Sequence, residues 1–260
     1  MHKTTVGEIY GAIDAFAPFS TALPFDNAGL LVGSPDAEVT GVAFALDMTC
    51  GFIDWALERQ CSLVVSHHPV IFKPVSRVTS DHPVYRIARY EMNAICAHTN
   101  LDCAPGGVND VLAEKLGLSE IHPLADPEYP GYPPMARVGE LPHELSAHAL
   151  ADHVRDVLGT QAVGYADGGV PIRKVALCGG AGADLLLPAA QAGAQALVTA
   201  DVRHHELLDA MALGITLIDA GHFATETGVM APLCKRLSEQ FPQVPMHLFD
   251  QPNPLHFSVN

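Results

Sequence analysis

Six short runs of apolar, β-favouring residues, at 42–46, 63–65, 94–97, 175–178, 196–199 and 215–218, alternate with segments of helical period, and that alternation restricts the chain to α/β architectures. The reading predicts mixed, largely parallel sheets flanked by helices. Thr49 is placed to cap a helix that carries Phe52, Ile53, Ala56 and Leu57 on one face, and Ile9, Ile13 and Phe16 repeat the same spacing near the start. These stripes are core positions and carry no chemistry.

Between 121 and 134, five prolines and Gly131 interrupt every periodic pattern, and the boundary between two α/β lobes is expected there. The reading divides the chain into an N-terminal lobe, 1–128, and a C-terminal lobe, 129–260. Residues 143–158 are helical in pattern and lead into a turn-rich connection at 164–169. No repeat of 20 to 50 residues is visible. At 260 residues and 48% hydrophobic content the chain can fill the cores of two small lobes.

Composition excludes several roles. Lys and Arg total 14 against 29 acids, and a net charge of -15 opposes a phosphate-binding surface, so nucleic acid is not an expected partner. No apolar run approaches the roughly 18 residues that span a bilayer, and the first residues lack a signal-peptide core, so a cytoplasmic protein without membrane attachment is expected. The six cysteines form no C-x-x-C pair and sit mostly within apolar runs, as reduced core thiols do. Histidine stands out, with 14 residues, as many as Lys and Arg together.

Three of the predicted strands run into histidine. The run at 63–65 continues through Ser66 to His67-His68-Pro69, and strand carboxyl ends form the functional rim of an α/β sheet. Neighbours on an extended chain point in opposite directions, so one pair can serve two ions; a packed or surface pair is the alternative. The run at 94–97 leads to His98-Thr99-Asn100-Leu101-Asp102. Asp102 is the natural oxygen ligand, or else the cap of a following helix, while His98 can ligate or, as we favour, orient a ligand. The run at 215–218 leads to His222 and Glu226, which share one face if a helix starts there. Each occurrence has an ordinary explanation, and three together point to metal.

Four blocks now carry a resemblance: Asp26-Asn27-Ala28-Gly29-Leu30-Leu31-Val32-Gly33, Ser66-His67-His68-Pro69, His98-Thr99-Asn100-Leu101-Asp102 and Gly221-His222-Phe223-Ala224-Thr225-Glu226. In order and spacing they resemble the GTP cyclohydrolase 1 type 2 homolog family, the Nif-three-like dinuclear-metal proteins. The resemblance implies two divalent ions, zinc, iron or manganese, held by His67, His68, Asp102, His222 and Glu226 in a cleft between the lobes, with subunits assembled as a homo-hexamer. It also implies hydrolysis of a C–N, phosphate or amide bond in a small molecule, with a base such as His205 or His98 moving protons. Cys178-Gly179-Gly180-Ala181-Gly182 resembles a family turn whose amides, Gly180 and Gly182 among them, would cradle an anionic group; an ordinary tight turn is the alternative. The block 199–206 resembles another cleft-facing segment, but has Ala200 where glycine is usual. The alternative function is metal storage or delivery, or a scaffold, without catalysis; a ring around DNA is disfavoured by the acidity.

Overall fold

The computed structural model describes residues 3–258. In chain order the elements are α1 (Val6–Phe16), β1 (Gly29–Val32), β2 (Val42–Ala45), α2 (Cys50–Glu58), β3 (Leu63–Ser66), α3 (Pro83–Arg89), β4 (Asn93–Cys96), α4 (Thr99–Cys103) and α5 (Val108–Lys115). They continue with β5 (Ser119–Pro123), β6 (Arg137–Leu145), α6 (Ala147–Leu158), β7 (Gly164–Ala166), β8 (Ile172–Ala181), α7 (Leu186–Gln191) and β9 (Ala196–Ala200). The last are α8 (His204–Leu213), β10 (Thr216–Asp219), α9 (His222–Glu226), α10 (Met230–Gln240) and β11 (Met246–Leu248).

The chain forms two units, one of 1–104 with 229–252, the other of 105–228 with 253–260. The first unit holds a sheet ordered β1-β4-β3-β2-β11, in which β4, β3, β2 and β11 are parallel and β1 is an antiparallel edge. Every residue of β2, β3 and β4 is buried, which is why these runs read as continuously apolar. Thr49 caps α2 as expected, its hydroxyl accepting from the Phe52 amide, and Phe52, Ile53 and Ala56 pack with Ala43, Val64 and Ala94. In α1, Thr5 and Glu8 form a capping box while Ile9 and Ile13 face the core.

The second unit holds a six-stranded sheet, β5-β6-β8-β9-β10-β7, with β8, β9 and β10 parallel and the others antiparallel. Strand alternation gives it two cores. Val175, Leu177 and Val198 face α5 and α6, whereas Ala176, Leu197 and Leu217 face α7 and α8.

These boundaries differ from the expected 1–128 and 129–260. The proline-rich stretch is a loop inside the second unit, joining the paired strands β5 and β6. The first unit closes only when the chain returns at Val229 and places β11 beside β2. Residues 143–145, expected as helix, finish β6, and Ser146 caps α6 through the Ala149 amide. All six cysteines are free thiols. Among the described residues no helix is long and apolar enough to cross a membrane.

Candidate metal centre

In the first unit, β3 and β4 are parallel neighbours, so their carboxyl ends emerge side by side and the residues that follow must meet. His67 and His68 leave β3 and His98 leaves β4; the ring centroids lie 5.0 Å apart for His67 and His68, and 5.1 Å for His67 and His98. One nitrogen from each of the three rings falls within 4.8 Å of those of the other two. Asp102, on the short helix α4, brings its Oδ1 to 3.6 Å from Nε2 of the fully buried His67. The alternative reading of Asp102 as a helix cap does not hold, since Gly107 is the N-cap of α5.

The Nδ1 side of each ring is fixed. His67 Nδ1 donates to the Ala97 carbonyl at 2.9 Å, His68 Nδ1 to Asp47 Oδ1 at 2.7 Å, and His98 Nδ1 to Asp26 Oδ1 at 2.8 Å. A carbonyl or ionised carboxylate only accepts, so the proton sits on Nδ1 and the neutral ring keeps its lone pair on Nε2. Asp47 is itself positioned by Gln251, whose Oε1 accepts from the Asp47 amide at 3.0 Å. Burial would raise the Asp26 carboxyl, but hydrogen bonds from His98 and from the Thr99 amide and hydroxyl outweigh it and hold it at about 2.

The second unit repeats the device. Strands β9 and β10 are parallel neighbours, so Asp201, just past β9, meets His222, at the start of α9 beyond β10. His222 Nδ1 donates to Asp201 Oδ2 at 2.7 Å, and His222 Nε2 lies 3.1 Å from Glu226 Oε2, the i,i+4 pairing expected of a helix here. Glu226 is 4% exposed and Asp102 7%, and carboxylates that deep need hydrogen-bonding or metal partners. The substitution of Ala200 for a glycine is absorbed one residue later: Ala200 ends the strand, and Asp201 makes the turn at φ 55°, a conformation that Asp tolerates better than most residues.

The glycine block is part of β8 and runs past α9. Gly179 N–H donates to Asn109 Oδ1 at 2.7 Å and Gly180 N–H to Thr225 Oγ1 at 3.0 Å, so these two amides hold the protein together instead of facing an anion. Gly182 is packed tightly, a Cβ there lying 2.6 Å from that of Cys178. His205 is exposed on α8 and borders a surface groove with Asp184, Leu187, Asp209 and Leu213. None of the metal-type groups borders that groove.

Sequence reading missed Asp47 altogether and gave no role to Asp26 or Asp201. Their signal is positional: Asp47 and Asp201 stand just beyond strands whose parallel neighbours carry the histidines they orient.

Fold and side chains together define an α/β protein with two sets of oxygen-oriented imidazoles and buried carboxylates, each at the carboxyl ends of parallel strands. Comparison with known proteins agrees: residues 4–254 match the model of the Duf34/NIF3 (NGG1p interacting factor 3) family, and the chain belongs to that family. A "GTP cyclohydrolase 1 type 2 homolog" of Clostridium acetobutylicum is 33% identical over 238 residues, covering 89% of each chain. One of the same name from Streptomyces coelicolor is 36% identical over 231 residues, 85% of this chain and 81% of the relative. The crystal structure of a hypothetical protein of Staphylococcus aureus superimposes with a TM-score of 0.89 at 26% identity, covering 99% of this chain and 100% of the other.

Proposed function

We propose that this is a dinuclear-metal protein in which His67, His68 and Asp102 of the first unit and His222 and Glu226 of the second hold two divalent ions. The observation that carries the reading is the uniform fixing of Nδ1 on His67, His68 and His222 by an oxygen acceptor, the arrangement that metal-binding imidazoles adopt. A donor set of nitrogen and carboxylate oxygen without sulfur suits zinc, iron or manganese.

We further propose that the centre hydrolyses a small molecule. Two bound ions would supply Lewis acidity and lower the pKa of water toward neutrality. The chain supplies the rest: Asp26 keeps the proton of His98 on Nδ1, leaving Nε2 to accept a proton beside the His67 and His68 rings. His98 therefore suits the base role better than His205, which is exposed on α8. Assembly as a homo-hexamer is part of the same proposal and is checked by light scattering.

The test is a panel of nucleotides, cyclic amides and phosphate esters offered to metal-loaded protein. Turnover that Glu226→Ala abolishes, with assembly intact, supports the hydrolase. A metal-replete protein that turns over nothing in the panel supports storage or scaffolding instead.

A further inference from the structure

The strand that closes the first sheet ends beside the histidine pair. β11 runs parallel to β2 with Leu248 opposite Phe44, and the Phe249 amide extends the ladder by donating to the Phe44 carbonyl at 2.9 Å. Counted on from that register, Gln251 stands level with Asp47. The segment is seated by aromatic packing on α2: the Phe249 ring lies 5.1 Å from that of Trp55 and 5.6 Å from that of Phe52, and Trp55 also meets His247 at 6.4 Å.

Gln251 grips Asp47 at two points. Its Oε1 accepts from the Asp47 amide at 3.0 Å, and its Nε2 donates to Asp47 Oδ2 at 2.5 Å. The other carboxylate oxygen, Oδ1, is the one that accepts from His68 Nδ1. The Asp47 side chain is 35% exposed, so without the amide it would exchange partners with water and turn about its own bonds. Occupying Oδ2 leaves Oδ1 aimed at the ring. A side-chain amide suits both contacts, since it carries a donor for the carboxylate and an acceptor for the main-chain N–H, whereas ionised glutamate has no donor and lysine no acceptor. The His68 main chain is held from the same side, its N–H donating to the Leu46 carbonyl at 2.9 Å.

We propose that Gln251 is a positioning residue of the metal centre: acting through Asp47, it fixes the direction of the His68 ring and keeps the lone pair on Nε2, so that the chain just past β11 sets metal affinity. The inference rests on the dinuclear-metal reading and extends it to a residue outside the ligand set.

Zinc affinity, measured by competition against a chromogenic chelator, tests this, with the emission of Trp55, the one tryptophan in the sequence, recorded on the same samples. Gln251→Met keeps the length of the side chain and removes both hydrogen bonds. It is expected to weaken zinc about 10-fold, the lower end of what loss of a ligand-orienting group produces, with Trp55 emission unchanged. Gln251→Glu sets a second carboxylate against Asp47 and should weaken zinc at least as much. In an Asp47→Ala background, Gln251→Met should change zinc affinity by less than about twofold, since the route to His68 is already cut. The proposal is overturned if Gln251→Met binds zinc as the wild type does, or if the two losses multiply in the double variant. A loss accompanied by shifted Trp55 emission means that β11 has come away from α2, and packing then replaces positioning as its cause. Wild-type protein that binds no zinc sinks the metal reading itself, whereas tight wild-type binding that Gln251→Met leaves intact sinks this inference alone.

Discussion

Replacing Gly180 by alanine tests whether the β8 turn exists to make room for the Glu226 carboxylate. Gly180 has φ 63°, and a Cβ built there lies 2.3 Å from Glu226 Oε1, 3.2 Å from Glu226 Cδ and 3.2 Å from His222 Nε2. The backbone cannot retreat, since its N–H is bound to Thr225 Oγ1 at 3.0 Å and its carbonyl accepts from Thr199 Oγ1 at 2.9 Å. The carboxylate must therefore move, by about 1 Å to reach ordinary contact distance. For stability this is mild: the left-handed backbone costs an alanine roughly 1–2 kcal/mol, and a carboxylate at the end of a flexible chain can turn aside. For a metal it is severe, because ligand distances tolerate only roughly 0.2 Å. The expected result is a loss of at least about 10-fold in metal affinity, comparable with removing a group that orients a ligand, from a folded protein. Competition against a chromogenic chelator measures the affinity, and urea unfolding of metal-free protein measures the stability. If Gly180→Ala binds metal as tightly as the wild type, Glu226 is not a ligand held by this turn.

Other expectations follow from the same geometry. Asp201→Asn and Asp47→Asn keep shape but remove the charge that fixes Nδ1 of His222 and His68, and each should weaken metal binding about 10- to 100-fold in chelator competition with little change in unfolding. Gly168→Ala should act on stability alone: its Cβ would lie 2.5 Å from the Ile215 carbonyl carbon and 2.7 Å from the Thr216 amide, both backbone, and a loss of about 1–3 kcal/mol or more is expected in urea unfolding. Asp26, held at about 2, is depressed below its unfolded value of roughly 3.9, so its contribution is present above that value and disappears as pH falls toward 2. Asp26→Asn should thus destabilise metal-free protein by about 1–2 kcal/mol at pH 7, after allowance for solvent screening, with the difference shrinking between pH 4 and pH 2. A constant difference across that range would count against the hydrogen-bonded carboxylate as its cause.

The strands that carry the histidines were legible in the sequence because burial on both faces makes them continuously apolar. The run at 63–65 became Leu63–Ser66 and that at 94–97 became Asn93–Cys96. The His222 and Glu226 pairing was equally legible, being local to one helical turn. Asp47 was not, because its role depends on β2 lying beside β3, a fact of sheet order that no local pattern encodes. The division into compact units was not legible for a related reason. Proline and glycine mark any loop, here the connection between β5 and β6, whereas the true division follows from the long-range pairing of β11 with β2.

That pairing also has a bearing on biogenesis. In sequence, residues 105–228 are an insertion between α4 and α10 of the first unit, and the parallel sheet that displays His67, His68 and His98 stays one strand short until 246–248 have been made. Gln251, the residue that steadies Asp47, arrives later still, 204 positions after its partner. On the ribosome residues 105–228 are complete while the first unit still waits, so the final ordering of the sheet and of Asp47 beside His68 is deferred until 246–251 have emerged.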